Sequence, residues 1–288
     1  MTGYLLAVGF CLATLLPPPP ATMPAPPAAA PQEVPDAADA EPSVVVLHLP
    51  GIAGRMPVDQ TFLTGLLAGG YANALYLLDW TGPNRGLPAL GNVQVHQAAT
   101  KQAVEKILEL RRLHPEARLV LTGHSAGSGI AVFALESLPA DVRIDQLVLL
   151  APALSPGYDL SDALARVEGN AYVFLSEYDK VVLGAGTRLF GTVDRVNTDA
   201  AGLVGFDVPP ERAQAYKRLV QVPYVAAYLR LNNLGDHIGC MSFDFTRQFI
   251  APLLKTGQAP PVPERPAHQR PAHQRPVHQR PVHQPATK

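Results

Sequence analysis

Residues 119–135 read Leu-Val-Leu-Thr-Gly-His-Ser-Ala-Gly-Ser-Gly-Ile-Ala-Val-Phe-Ala-Leu. The first three form a short apolar strand, and Gly129 to Leu135 carries a helical pattern. The five residues Gly123-His124-Ser125-Ala126-Gly127 must therefore turn the chain from one to the other. A turn this sharp strains its central residue and brings the residues two before and two after it together. Glycine at 123 and 127 removes the side chains that would collide there. Ser125 is thereby expected to stand exposed at a helix N-terminus. There the Ala126 N–H and the positive end of the helix dipole face negative charge growing on a bound oxygen. That is the setting of a candidate nucleophile.

On both sides of this turn, apolar runs of strand length alternate with longer helical patterns. Ser43–His48, Leu75–Leu78, Leu147–Leu150, Tyr172–Leu175 and Val225–Leu229 join Leu119–Leu121 as expected strands. The runs are continuous rather than alternating, as parallel strands covered on both faces require. Between them, His96 to Leu113 places Ala103, Val104, Ile107 and Leu108 on one stripe, with Lys101, Glu105, Glu109 and Arg112 largely off it; Pro115 ends the helix. The alternation predicts an α/β fold: a doubly wound, mostly parallel sheet of about six strands with helices on both faces and right-handed crossovers.

The expected folded domain covers residues 43–257. Ahead of it, residues 17–42 are dominated by Pro and Ala and read as a disordered linker. Behind it, residues 258–288 read as a disordered tail, with four tandem copies of Arg-Pro-(Ala/Val)-His-Gln over 265–284, where the recurring proline forbids a helix. Residues 1–16 contain an apolar run from Leu5 to Leu16, of signal-peptide length and too short to span a bilayer. The expectation is an exported protein, periplasmic or extracellular, with the leader cleaved or kept as an anchor; a start at Met23 makes it cytosolic. Cys11 falls in that leader, which leaves Cys240 as the single thiol of a mature chain. Charged residues make up only 16% of the chain and hydrophobic ones 47%, which fits a large buried core. A net charge of −1 excludes a broad electrostatic footprint for nucleic acid.

With its Gly123-His124-Ser125-Ala126-Gly127 motif in a βαβ body, the chain resembles the α/β-hydrolase superfamily, particularly its lipase and esterase members. The resemblance spans most of residues 43–254. It implies a chain order of serine, then acid, then histidine. A serine hydroxyl needs an imidazole to take its proton, and His237 is the only histidine between His124 and the repeat tail, in the loop Gly235-Asp236-His237-Ile238-Gly239. For the acid, Asp179 follows the strand ending at Leu175, at the place the resemblance implies. Glu177 is the alternative, and Asp236 is disfavoured because side chains adjacent in sequence point apart.

The oxyanion hole is expected to pair the Ala126 N–H with one from the loop after the first strand, His48-Leu49-Pro50-Gly51-Ile52-Ala53-Gly54. Ile52 is the first candidate there and Gly51 the second, since Pro50-Gly51 stands where the family often has His-Gly. Trp80, in the loop from Asp79 to Arg85, and His124 are candidate substrate contacts, and the stretch from Leu183 to Pro210 is a candidate cap or pocket wall.

The resemblance thus implies hydrolysis of a small-molecule or lipid carboxylic ester through an acyl-enzyme on Ser125, with no metal or cofactor. A thioesterase or amidase using the same residues is one alternative. A non-catalytic secreted binding protein on the same scaffold is another. The four tail histidines lack any support that would fix them as metal ligands, and the tail arginines offer weak contact with an anionic surface.

Overall fold

Runs that are apolar at every position need cover on both faces, and such runs make up the middle of a single parallel sheet. The computed structural model describes residues 42–86 and 90–262; the leader, the repeats, and all but the ends of the linker and tail lie outside the described residues. The strands are β1 (Val44–Leu49), β2 (Ala74–Leu77), β3 (Arg118–His124), β4 (Gln146–Leu150), β5 (Ala171–Leu175) and β6 (Leu219–Pro223), ordered β2-β1-β3-β4-β5-β6 and parallel throughout. Every residue of β1 and β4 is buried, while the edge strands β2 and β6 have none that is.

The chain leaves β1 for β2, then returns to β3 on the other side of β1. Strand order reverses there, and in sheets of this kind the crevice for a ligand opens beyond the carboxyl ends at such a reversal. Leu49 pairs with Gly123, so β1 and β3 end level, and the Pro50 loop and the Ser125 turn emerge side by side.

Three helices frame that crevice. Helix α1 (Pro57–Ala68) starts with Pro57 in its first turn, and Asp59 reaches back to accept the Met56 N–H at 2.6 Å. Helix α2 (Val93–Leu113) begins three residues before the predicted His96, because the Asn92 side chain accepts the N–H groups of Gln94 and Val95 at 2.9 and 3.2 Å. Its buried face is His96, Ala99, Ala103, Ile107 and Leu110, with Val104 and Leu108 half-buried beside it. Helix α3 (Ala126–Glu136) is small and apolar on nearly all sides and is buried accordingly, which suits a helix held between the sheet and α2. Among the described residues, no helix is long and apolar enough to cross a membrane.

The last predicted strand is corrected. Leu219–Pro223 pairs with β5, placing Val220 opposite Tyr172 and Val222 opposite Phe174. The expected strand Val225–Leu229 falls instead in a 3₁₀ turn over Ala226–Leu231, ended by Asn232 in the left-handed conformation at φ 58°. Tyr228 and Leu231, three residues apart, are both buried, and the Tyr228 ring lies 4.8 Å from those of Phe245 and Phe249. An apolar run this short is compatible with strand or helix, and here burial of Tyr228 in an aromatic cluster decides for the turn.

Candidate active site

Ser125 sits at the tip of the turn between β3 and α3 with φ 53° and ψ −123°, a region that non-glycine residues rarely occupy. The strain is held from both sides: Ser125 N donates to Leu150 O at 2.9 Å, and Ser125 O accepts from the N–H groups of Ser128 and Ala153, each at 3.1 Å. The flanking glycines permit this. A Cβ on Gly123 would come within 2.6 Å of Gly127 O and of the Ser128 Cα, and one on Gly127 would strike the carbonyl oxygens of Leu49 and Pro50. Glycine at 127 therefore lets the loop after β1 press directly against the turn. The Ser125 hydroxyl makes no hydrogen bond among the described residues, and the side chain lines a cleft of about 460 Å³.

Two further predicted residues meet in that cleft. His237 Nδ1 donates to Asp179 Oδ2 at 2.6 Å across 58 residues of chain. A carboxylate can only accept, so the bond assigns the proton to Nδ1 and leaves Nε2 as the basic nitrogen. The His237 side chain is 17% exposed and that of Asp179 3%, so the acid is sealed beneath a ring that reaches the cleft. Their two loops are tied together: Ser176 Oγ donates to Gly235 O at 2.5 Å, and the buried Asn233 side chain accepts the Gly235 N–H at 3.0 Å. Asp236 is exposed at the rim, and Glu177, the alternative acid, is not among the residues that line the cleft.

The loop after β1 forms the facing wall. Gly51, Ile52, Ala53 and Gly54 line the cleft, and a Cβ on Gly51 would lie 3.3 Å from the Ser125 Cβ. Ile52 O accepts the Gly86 N–H at 2.7 Å, which fixes the orientation of that peptide. Neither the Ile52 nor the Ala126 N–H has a hydrogen-bond acceptor among the described residues.

Trp80 does not line the cleft. It is only 3% exposed and donates its indole N–H to Pro50 O at 2.7 Å, so it props the loop from behind. Its neighbour Asp79 accepts from Arg55 N at 3.1 Å and from Arg85 at 2.8 Å, strapping the far end of the same loop. The stretch from Leu183 to Pro210 contributes no residue to the cleft wall; Val181 and Val182, just before it, do.

His124 lines the cleft but is 6% exposed. Its Nε2 lies 3.0 Å from His237 O, and the two rings are 4.9 Å apart. Burial, reinforced by the charge of His237, pushes its pKa down to about 3, so it is neutral and donates Nε2–H to that carbonyl. The contact it makes is with the histidine loop.

Sequence reasoning missed a second histidine–aspartate pair under the loop. His48 Nε2 is 2.9 Å from Asp59 Oδ1 and its Nδ1 is 2.7 Å from Thr122 Oγ1, with both His48 and Asp59 fully buried. Burial alone would raise the Asp59 carboxyl, but the hydrogen bond and charge of His48 and the Met56 N–H outweigh it and hold the pKa below the usual carboxylate value. The available signal was a histidine inside an otherwise apolar strand, which burial obliges to find a polar partner. Among the described residues, no group of three or more His, Cys, Asp or Glu is arranged to hold a metal ion. Cys240 is buried, and burial pushes its thiol up to about 12.

A six-stranded parallel sheet with a Gly-x-Ser-x-Gly turn between its third strand and the following helix defines an α/β hydrolase. Within that class, the chain belongs to the family described as serine aminopeptidase, S33, whose profile matches residues 40–188, just over half of the 288 residues. Among solved structures the chain is similar to Est1E from Butyrivibrio proteoclasticus, at 11% identity and a TM-score of 0.45, covering 76% of this chain and 90% of that one. It is also similar to carboxyl esterase 2 from Tuber melanosporum (13%, TM-score 0.43, 72% and 73%). A third likeness is to a cutinase from Trichoderma reesei (22%, TM-score 0.38, 57% and 75%). No curated protein matches the sequence. By family, then, the protein is a hydrolase.

Proposed function

We propose that the protein is a serine hydrolase of carboxylic esters, working through an acyl-enzyme on Ser125. The observation that carries this reading is the 2.6 Å bond from His237 Nδ1 to Asp179, in the cleft that also holds Ser125 on its strained turn. In the first half-reaction Ser125 Oγ bonds to the ester carbonyl carbon while His237 Nε2 takes its proton. The oxyanion is met by the Ile52 and Ala126 N–H groups. Collapse expels the alcohol, which leaves with the proton from His237. In the second half, water loses a proton to His237, attacks the acyl carbon and frees the acid, restoring the Ser125 hydroxyl.

Apolar walls favour an apolar acyl group. Ile52, Met56 and Val58 line one side of the cleft and Val181, Val182 and Ile238 another, with Val181 80% exposed at the mouth. One observation favours a second reading, an amidase acting on a peptide N-terminus: Asp236 is exposed and lines the cleft, and its carboxylate would hold a substrate ammonium group. The two readings separate on p-nitrophenyl butyrate against aminoacyl p-nitroanilides. Butyrate turnover and fluorophosphonate labelling, both lost in Ser125→Ala, are the expected result. Equal labelling of the wild type and Ser125→Ala would sink both readings.

A further inference from the structure

A larger concavity than the Ser125 cleft, about 710 Å³, lies along the C-terminal half of α3, between α2, α3 and a tight turn at residues 192–196, and shares no lining residue with that cleft. Its floor is apolar: Val93 and Val104 from α2, Phe133 from α3, Val193 from the turn, and Tyr158, whose ring is 5.8 Å from that of Phe133.

The walls are held in place. Thr192 N and Oγ1 both donate to Val196 O, Arg195 N donates to Thr192 O at 2.8 Å, and Val193 N donates to Ala153 O at 2.9 Å. Val193 packs so closely on α3 that a Cβ on Gly129 would come within 2.9 Å of it. The groove is thus formed before any ligand arrives.

Its charges are unequally engaged. The acids are taken up within the protein. Glu136 accepts the Tyr158 hydroxyl, which lies 3.0 and 3.1 Å from its two oxygens. Asp194 accepts both the Ser155 N–H, at 2.9 Å, and the Ser155 hydroxyl. Burial further pushes Glu136 up to about 7, so near neutrality part of its charge is already gone. Arg195 is the opposite case: it is exposed, lines the groove, and makes no ion pair among the described residues. It also sits at φ 67°, where glycine or asparagine would be relaxed. Strain of this kind is kept where the surrounding bonds enforce it, and it collects at binding sites. On the other lip Lys101 has only a loose contact with Glu105, at 3.9 Å.

We propose that this groove is a second binding site, for an anionic amphiphile whose apolar body lies along Val104, Phe133 and Val193 and whose carboxylate, sulfate or phosphate head is held by Arg195. Lys101 adds to the attraction. The site is independent of the reaction proposed for Ser125.

The test is calorimetric titration of the full chain with dodecanoate below its micelle concentration, with dodecyltrimethylammonium as the oppositely charged control. Arg195→Gly removes the guanidinium and relieves the positive φ, so its unfolding temperature should equal or exceed that of the wild type while dodecanoate affinity falls about tenfold or more. Val104→Asp on the floor should weaken binding similarly, and Val181→Ser with Ile238→Ser at the other cleft should change it less than about twofold. The proposal is overturned by any of four results: no dodecanoate binding, unchanged affinity in Arg195→Gly, equal affinity for the cationic amphiphile, or a tenfold loss in the Val181/Ile238 double variant.

Discussion

Among the described residues two histidine–aspartate pairs have nearly the same chemistry, His237 with Asp179 and His48 with Asp59, and they differ in what is left over. In the first, one ring nitrogen is bonded at 2.6 Å and the ring remains 17% exposed at the cleft. In the second, both nitrogens are occupied, by Asp59 and Thr122, and neither side chain of the pair reaches solvent. An imidazole can pass a proton on only if a nitrogen is free and reachable. The lesson is that a histidine–carboxylate contact does not by itself mark a site; the unspent nitrogen does. The His237 pair can serve chemistry, whereas the His48 pair ties the start of α1 to the sheet.

Removing each pair should therefore damage different quantities. The largest effect is expected from His237→Ala, which should lower kcat/KM for p-nitrophenyl butyrate by roughly 10⁴-fold, with Asp179→Asn close behind; both should move the unfolding midpoint less than the His48 variants do, because removing the partly exposed His237 ring opens Asp179 to water. Steady-state kinetics beside a urea titration tests this, and a midpoint shift matching that of the His48 variants would erase the distinction. His48→Leu is next: it leaves Asp59 buried without its partner and should cost about 3–5 kcal/mol of stability, while the molecules that remain folded keep their turnover.

The same pair carries a pH signature. Because the Asp59 pKa is lowered in the folded state, its contribution is complete above the unfolded carboxyl value of about 3.9 and disappears as pH falls through the folded value below that. The stability gap between wild type and Asp59→Asn should hold constant from neutrality down to about pH 4 and close only below it. A gap that began closing near pH 6 would mean that Asp59 is not the group whose titration sets it.

Legibility in the sequence follows how local each determinant is. The Ser125 turn could be read because Gly123, Ser125 and Gly127 answer to one another within five residues. Strands β1, β3, β4 and β5 could be read because central parallel strands are apolar at every position. The edge strand β2 is apolar enough to be read as well, but the edge strand β6 is not: Leu219-Val220-Gln221-Val222-Pro223 is half-exposed and mixed, while the more apolar Val225–Leu229 is claimed by Phe245 and Phe249 from farther along the chain. Asp179 and His237 were reachable only through chain order, because the bond between them spans 58 residues. The packing of Trp80 was illegible for a related reason, since a lone indole in a loop looks the same whether its N–H faces open space or, as here, its own backbone.

His124 and Trp80 sharpen the comparison with smaller effects, because both act on the loops that carry the reacting groups. His124→Phe removes the Nε2–H donated to His237 O and should reduce kcat about tenfold with KM little changed, in line with about 1–1.5 kcal/mol for the lost bond. His124 is neutral above a pKa of about 3, so the lower limb of the kcat/KM profile should lie at the same pH in wild type and variant. A shifted limb would mean that His124 also tunes His237 electrostatically.

Trp80→Phe keeps most of the buried ring but deletes the N–H donated to Pro50 O, which leaves that carbonyl without its partner. The expected loss is about 1 kcal/mol of stability, with a kcat decrease of about threefold, as Gly51 and Ile52 lose part of their backing against Ser125. Urea unfolding and burst kinetics separate the two contributions. If stability falls while acylation is untouched, the loop holds its shape through Asp79, Arg85 and the Gly86 N–H alone, and the indole belongs with His48 and Asp59 as part of the foundation. If acylation slows as well, the donors facing Ser125 depend on a hydrogen bond on the far side of the loop.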